Sequence, residues 1–251
     1  MVKDIFSGLK AYVGAFNLIS QLKLWKYFAI PILISVVTAS VIGITSYGLS
    51  DNIGVFLAKI WIWDWGKDTV TTITSFIGAL FVLVIGLILY KHIVLALSAP
   101  FMSPVSEKIE KHINGDLKLQ HRNTSFQEQL IRGIKLSVRN LGKELFFTIP
   151  ILMLKLIPVV NIFSTILLFL LQSYYAGFGN MDYTLERHFN YKDSIHFVGK
   201  NKGFSIGNGI VFMLCLLIPV LGIIMVLPLS VTAATVKTVE LLSKENESTV
   251  L

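Results

Sequence analysis

This 251-residue chain contains one cysteine, Cys215. An intrachain disulfide is therefore excluded, and so is a cysteine-cluster metal site. Cys215 lies within an apolar tract, where core packing is its expected role. Charge is also scarce: Asp, Glu, Lys and Arg make up 15% of the residues, against about 25% in an ordinary globular domain. His92, His112, His121, His188 and His196 are scattered, without HExxH or other metal-ligand spacing. No GxxxxGKS/T motif is present to drive an ATP-fuelled pump, and no GxSxG elbow to seat a catalytic serine. An enzyme is not expected, nor a cofactor or a bound metal. Met1–Gln21 has no compact apolar stretch followed by a small-residue cleavage site, so it does not read as a signal peptide.

What is abundant is apolar surface. Apolar residues make up 54% of the chain and mean hydropathy is +0.70. Tyr27–Leu49 and Thr69–Tyr90 contain no charge and are long enough to cross a bilayer core of about 30 Å, which needs about 20 helical residues. Two further tracts, Leu145–Tyr175 and Phe204–Val236, are each interrupted at the middle by similar words. The first break is Ile157-Pro158-Val159-Val160-Asn161-Ile162, and the second is Ile218-Pro219-Val220-Leu221-Gly222-Ile223. Each tract is too long for one untilted span and too short for two full ones. Two half-depth helices meeting at a turn shaped by Pro158 and Asn161, or by Pro219 and Gly222, fit the length. Interrupted helices in matching positions point to a substrate path through a membrane.

Charge placement gives topology. Residues 1–26 carry Lys3, Lys10, Lys23 and Lys26 against Asp4, and residues 91–144 carry a clear excess of Lys and Arg. Residues 50–68 are balanced or slightly acidic. By the positive-inside rule the N-terminus and 91–144 face the cytoplasm and 50–68 the outside, with Trp61, Trp63 and Trp65 in an interfacial belt. The pI near 9.4 follows from basic cytoplasmic loops against anionic lipid, and nucleic acid is not an expected partner.

Along the chain, residues 3–19 read as an amphipathic surface helix with Ile5, Leu9, Tyr12, Val13 and Phe16 on one face. Spans are expected at about 27–49 and 69–97. Pro100 is expected to stop the second, and Ser103-Pro104 to open a new helix through Ile113. From Phe126 to Glu144 helical periodicity returns and places Arg132, Lys135, Arg139 and Lys143 on one stripe. That stripe is expected against acidic headgroups, with gathering of anions at a pore mouth as the other reading. Broken hairpins follow at about 145–175 and 204–236, separated by a polar connection in which Asp182 and Arg187 tie loops together. Residues 1–242 form one membrane domain, and 243–251 a frayed tail.

This ordered set resembles the CysZ sulfate permeases and their wider etoposide-induced membrane protein superfamily. Its marks are Ser20-Gln21, Ile30-Pro31-Ile32-Leu33, Ala99-Pro100-Phe101 followed by Glu107, and Ile157-Pro158. Met181-Asp182-Tyr183, Gly203-Phe204, Ile218-Pro219 and Leu227-Pro228 complete it. The resemblance implies two long transmembrane helices plus two half-penetrating hairpins, a homo-oligomer, and passage of sulfate for cysteine synthesis. It also implies a docking point for sulfate at a stretch that in the family reads Gly-x-Arg-Arg. Here Lys23, Trp25 and Lys26 take the Gly and the two Arg places.

Ser20 reads as an N-cap, which would leave free N–H groups at Leu24 and Trp25 on the positive end of a helix, beside Lys23 and Lys26. Such an end suits an oxyanion. An interfacial anchor built from the same Lys and Trp residues is the competing reading. Lys155, two residues before the first break, binds an anion if the turn lies deep and snorkels to water if it is shallow. Glu107 either pairs with Lys111 one helical turn on or lines a pathway. The resulting expectation is an all-α, multi-pass protein of the cell inner membrane that passes a small oxyanion, sulfate foremost, and contacts membrane lipid. The alternative is a non-transporting member of the superfamily, in envelope organisation or lipid handling.

Overall fold

A computed structural model describes residues 1–59, 66–115, 122, 124–155, 157, 160–218 and 221–250. Its elements are α1 (Val2–Lys10), α2 (Ala15–Gln21), α3 (Trp25–Ala58), α4 (Lys67–Asn114), α5 (Phe126–Leu154), α6 (Asn161–His188), α7 (Tyr191–Lys200), α8 (Lys202–Leu216) and α9 (Leu221–Val250). No strand occurs among the described residues. Four segments are long and apolar enough to cross a membrane: Trp25–Phe56, Ile88–Asn114, Asn161–His188 and Ile224–Glu245.

The helices form antiparallel pairs: α3 with α4, α5 with α6, and α8 with α9, with α6 packed on α8, α9 and α4. The amphipathic N-terminus is two short helices rather than one. Gly14 at φ +89 turns the chain between them, and α1 then lies along α8. The two interruptions fall between α5 and α6 and between α8 and α9, as the sequence reads. Asn161 opens α6 at an exposed position. Gly222 is buried where α9 crosses the last turn of α8, and a Cβ there would lie 2.2 Å from the Cys215 carbonyl oxygen. Pro158 and Pro219 lie outside the described residues, as do Trp61, Trp63 and Trp65.

Three boundaries differ from expectation. Helix α4 runs unbroken over 48 residues with Pro100 and Pro104 inside it, and Ser103 is mid-helix rather than a cap. Proline at position 100 leaves the Ala96 carbonyl without its usual N–H donor. Gly133 of α5 fits against that carbonyl, because a Cβ there would lie 2.9 Å from Ala96 O. The proline is thus accommodated by close packing instead of ending the helix. Helix α5 continues from Phe126 through the apolar tract to Leu154. Its start is fixed by Ser125 and Glu128, whose side chains each bond the other's backbone N–H in a capping box. Those bonds hold the Glu128 carboxyl below its ordinary range. Helix α9 extends to Val250, beyond the expected end at 242.

The register sets relative heights. From the level of Lys91 back to Lys67, α4 rises about 36 Å, whereas from Glu144 forward to Leu154 α5 rises about 15 Å at 1.5 Å per residue. Lys91 and Glu144 touch, so the α5–α6 turn falls well short of the far end of the α3–α4 pair. The turns carry exposed apolar side chains: Met153, Ile157, Ile162 and Phe163 on one, Leu217 and Ile218 on the other.

Candidate functional site

At the α2–α3 corner Lys23 adopts φ +52, the left-handed conformation that favours glycine. Its N–H donates to Ser20 O at 3.2 Å, and the Leu24 N–H donates to Ile19 O at 2.9 Å. This pattern closes α2 and satisfies its last carbonyls. The Gly place of the family stretch is therefore a helix-ending turn, here occupied by a strained lysine. Two expectations are corrected by it. Ser20 ends α2 rather than capping α3, and its Oγ accepts from Trp25 Nε1 at 3.3 Å. The Leu24 N–H is used internally and its side chain is buried, so Leu24 offers no free donor. Helix α3 opens at Trp25, whose ring packs edge-on against Phe16 and Phe28.

Lys23 and Lys26 are both exposed. Lys26 Nζ lies 5.3 Å from the centre of the Tyr27 ring, and Lys108 Nζ of α4 lies 5.2 Å from the same ring. Two lysines from helices distant in sequence thus share one aromatic platform. Nothing in the linear spacing pairs Lys108 with Lys26, since it depends on how α3 and α4 cross.

Behind this corner the body holds a polar interior. Lys91 Nζ pairs with Glu144 Oε1 at 2.7 Å, and His92 Nε2 lies 3.0 Å from Glu144 Oε2, all three buried. Arg187 Nη2 pairs with Glu110 Oε2 at 2.8 Å, and His188 Nε2 lies 2.7 Å from Glu110 Oε1. Arg187 Nη1 also donates to Ser106 Oγ at 2.6 Å and to the Tyr183 carbonyl at 3.1 Å. Arg132 grips Asp182 with two bonds, Nε to Oδ2 at 3.0 Å and Nη2 to Oδ1 at 2.7 Å. It also donates to Phe189 O at 2.8 Å and to Ser194 Oγ. Asn180 Nδ2 donates to Asn208 Oδ1 at 2.8 Å, and Asn208 Nδ2 donates to Ser230 O at 2.9 Å. Tyr12 adds a bond from its hydroxyl to the Asn208 carbonyl at 2.8 Å, and burial pushes that phenol well above its ordinary range.

These groups line α6, whose residues Ser173, Asn180, Asp182, Thr184, Glu186 and Arg187 are all buried. Several buried polar atoms beside it have no hydrogen-bond partner among the described residues, including Glu186 Oε1, Asn180 Oδ1, Ser98 Oγ and Thr232 Oγ1. Buried polar groups are nearly always satisfied, so an unsatisfied set marks a place where water or an ion belongs. The column itself is tightly packed. A cavity of about 10 Å³ between Leu95, Gly133, Gly179, Asp182 and Glu186 is near the size that holds one water, about 10–15 Å³.

The sequence-chosen residues fall at the edges of this column. Glu107 pairs at the surface with Lys111 at 2.7 Å, while Glu110 in the next turn turns inward. Lys155 follows the last residue of α5, half-buried beside exposed Leu154 and Ile157. Asp182 and Arg187 do tie elements together, but each to a different helix, α5 and α4. Of the basic stripe, Arg132 turns inward, Lys135 Nζ lies 4.5 Å from the Tyr191 ring centre, and Arg139 lies 5.4 Å from that of Phe178. Those three each engage another part of the protein.

Comparison with known proteins identifies the family. Residues 11–226 match the family model described as Sulfate transporter CysZ/Etoposide-induced protein 2.4. A protein named Sulfate transporter CysZ from Pseudomonas fluorescens is 30% identical over 141 residues, which is 55% of this chain and 56% of that protein. The chain thus matches about half the length of that curated relative.

Proposed function

The chain belongs to the Sulfate transporter CysZ/Etoposide-induced protein 2.4 family, and on that premise we propose that it is a permease for a small oxyanion, sulfate first, supplying cysteine synthesis. The observation that carries the reading is the buried polar column along α6, beside a segment apolar enough to lie in a membrane. The column adjoins that segment at its cytoplasmic end, and its unsatisfied buried polar atoms mark a place where water or an ion belongs. In this reading the protein sits as a homo-oligomer in the cell inner membrane with residues 1–26 and 91–144 in the cytoplasm. Helices α3 and α4 cross the bilayer, and the hairpin tips end within it, in keeping with their shorter rise. Lys23 and Lys26, joined by Lys108 and the open N-terminus of α3 at Trp25, make the first contact with the anion. Leu24 seats the corner. Lys155 at the hairpin tip and Glu107 beside Glu110 mark opposite ends of the route. Weak, multi-point binding lets the anion leave again.

The tight packing of the column favours a second reading, a non-transporting member of the family with a sealed interior, acting on lipid or envelope organisation. Equilibrium binding of radiolabelled sulfate to the detergent-purified protein separates the two. The permease reading expects saturable binding, weakened severalfold by Lys26→Ala and by Lys108→Ala and unchanged by Lys192→Ala. Absence of saturable binding to the folded wild-type protein removes the anion site.

A further inference from the structure

A second feature lies away from the polar column. Between the α5–α6 hairpin and α8 runs an open groove of about 590 Å³, within the range of small-molecule sites, about 300–1,000 Å³. Phe147, Pro150, Leu170 and Ile206 form its walls, with Tyr174 and Lys202 at the end nearest the base of the body. The walls are apolar along their whole length, and Phe147 and Leu167 on its rim are exposed. Polarity enters at one end only.

That end is electropositive by construction. Lys202 is exposed, is the first residue of α8, and pairs with no acid among the described residues. The first turn of α8 contains no acidic residue and Asn201 makes no side-chain cap, so the positive end of the helix dipole coincides with a cation. The nearby carboxylate of Asp4, beside Gly203, is engaged by the Met1 amino group at 2.9 Å. From this cationic base toward Leu167, α6 rises about 10 Å and turns Leu171, Leu170 and Leu167 to the groove. A molecule that fits has an anionic head and an apolar tail, aligned with the helices.

We propose that this groove binds an anionic phospholipid, its acyl chain along Phe147, Leu170 and Ile206 and its phosphate at Lys202 and the α8 N-terminus. By the orientation proposed above, that lipid belongs to the cytoplasmic leaflet, a placement that rests on that reading. The binding does not, and it is measured without reference to sulfate.

The test is native mass spectrometry of the delipidated full-length protein, titrated with phosphatidylglycerol or phosphatidylcholine of identical acyl chains. The wild type is expected to retain phosphatidylglycerol preferentially. Lys202→Glu should lower that retention about fivefold, the factor one lysine contributes near an anionic surface, and leave phosphatidylcholine little changed. Leu170→Trp and Ile206→Trp, which fill the groove, should reduce both lipids while melting temperatures confirm folding. Lys192→Glu, the same charge change on α7, should have no effect. Equal retention of the two lipids by the wild type, or an equal loss in Lys192→Glu, overturns the proposal in favour of unspecific surface attraction. Unchanged retention in both tryptophan variants overturns it by removing the groove.

Discussion

Helix α4 passes through two environments. From Lys67 to Leu89 its neighbour is α3, and Ile73, Phe76, Ile77, Leu80, Leu83 and Ile85 are exposed. The most apolar window of α3 in the same region is only 17% buried. The contacts there are between small residues and backbone: Ser46 Oγ donates to Ala79 O at 2.7 Å and Thr74 Oγ1 to Gly54 O at 2.8 Å. From Tyr90 to Asn114 the same helix buries Lys91, His92, Ser98, Ser103, Ser106 and Glu110. The distal half is apolar outside and closely fitted inside, and the proximal half carries its charge inward. The apolar exterior of the distal half is the reverse of a soluble protein's arrangement.

The contrast can be broken most forcefully in the proximal half. Glu144→Leu leaves Lys91 and His92 buried without their acid and is expected to cost about 3–5 kcal/mol, read as a lowered unfolding midpoint in detergent. Lys91→Met together with Glu144→Leu should recover most of the loss. In the distal half, Val37→Lys places a charge on the outward face of α3, at an expected insertion cost of about 2.5–3.5 kcal/mol for a central position. Glycosylation-mapped membrane insertion measures it. Unchanged insertion would mean that this face meets water.

A finer contrast lies within the α3–α4 pair. A Cβ at Gly86 would lie 2.3 Å from Ile42 Cγ2, whereas at Gly43 it meets open space. Gly86→Ala should therefore destabilise by about 1–3 kcal/mol through overpacking, with Gly43→Ala neutral or slightly stabilising. Thermal melts of the two variants side by side decide it. Smallest is Lys23→Gly, which relieves the left-handed backbone and should stabilise by about 1 kcal/mol. The same variant should lower sulfate affinity if the Lys23 charge serves the anion.

The positions of both breaks were legible because each depends on residues adjacent in the chain. A Pro-Val-Val-Asn or Pro-Val-Leu-Gly interruption in an apolar tract announces itself locally. The polar column did not, because its partners lie far apart: Lys91 and Glu144 are separated by 53 positions, Glu110 and Arg187 by 77. Which helices abut is a property of packing, and a glutamate one turn away, Glu107, carries the same local signature as Glu110. One signal was present, in that Asp182, Glu186 and Arg187 extend a helix out of an apolar tract with no loop residues between. The α4 boundary was misread for a related reason. The local rule for Pro100 is sound, but Gly133 on another helix accommodates it.

The central claim is that the chain conducts sulfate using the Lys23–Lys26 corner, and uptake of radiolabelled sulfate into proteoliposomes tests it most directly. The account predicts uptake above empty vesicles that falls severalfold in Lys26→Ala and is competed selectively by related oxyanions. Uptake indistinguishable from empty vesicles, with folded and correctly inserted protein, would contradict it and leave the sealed, non-transporting reading in its place.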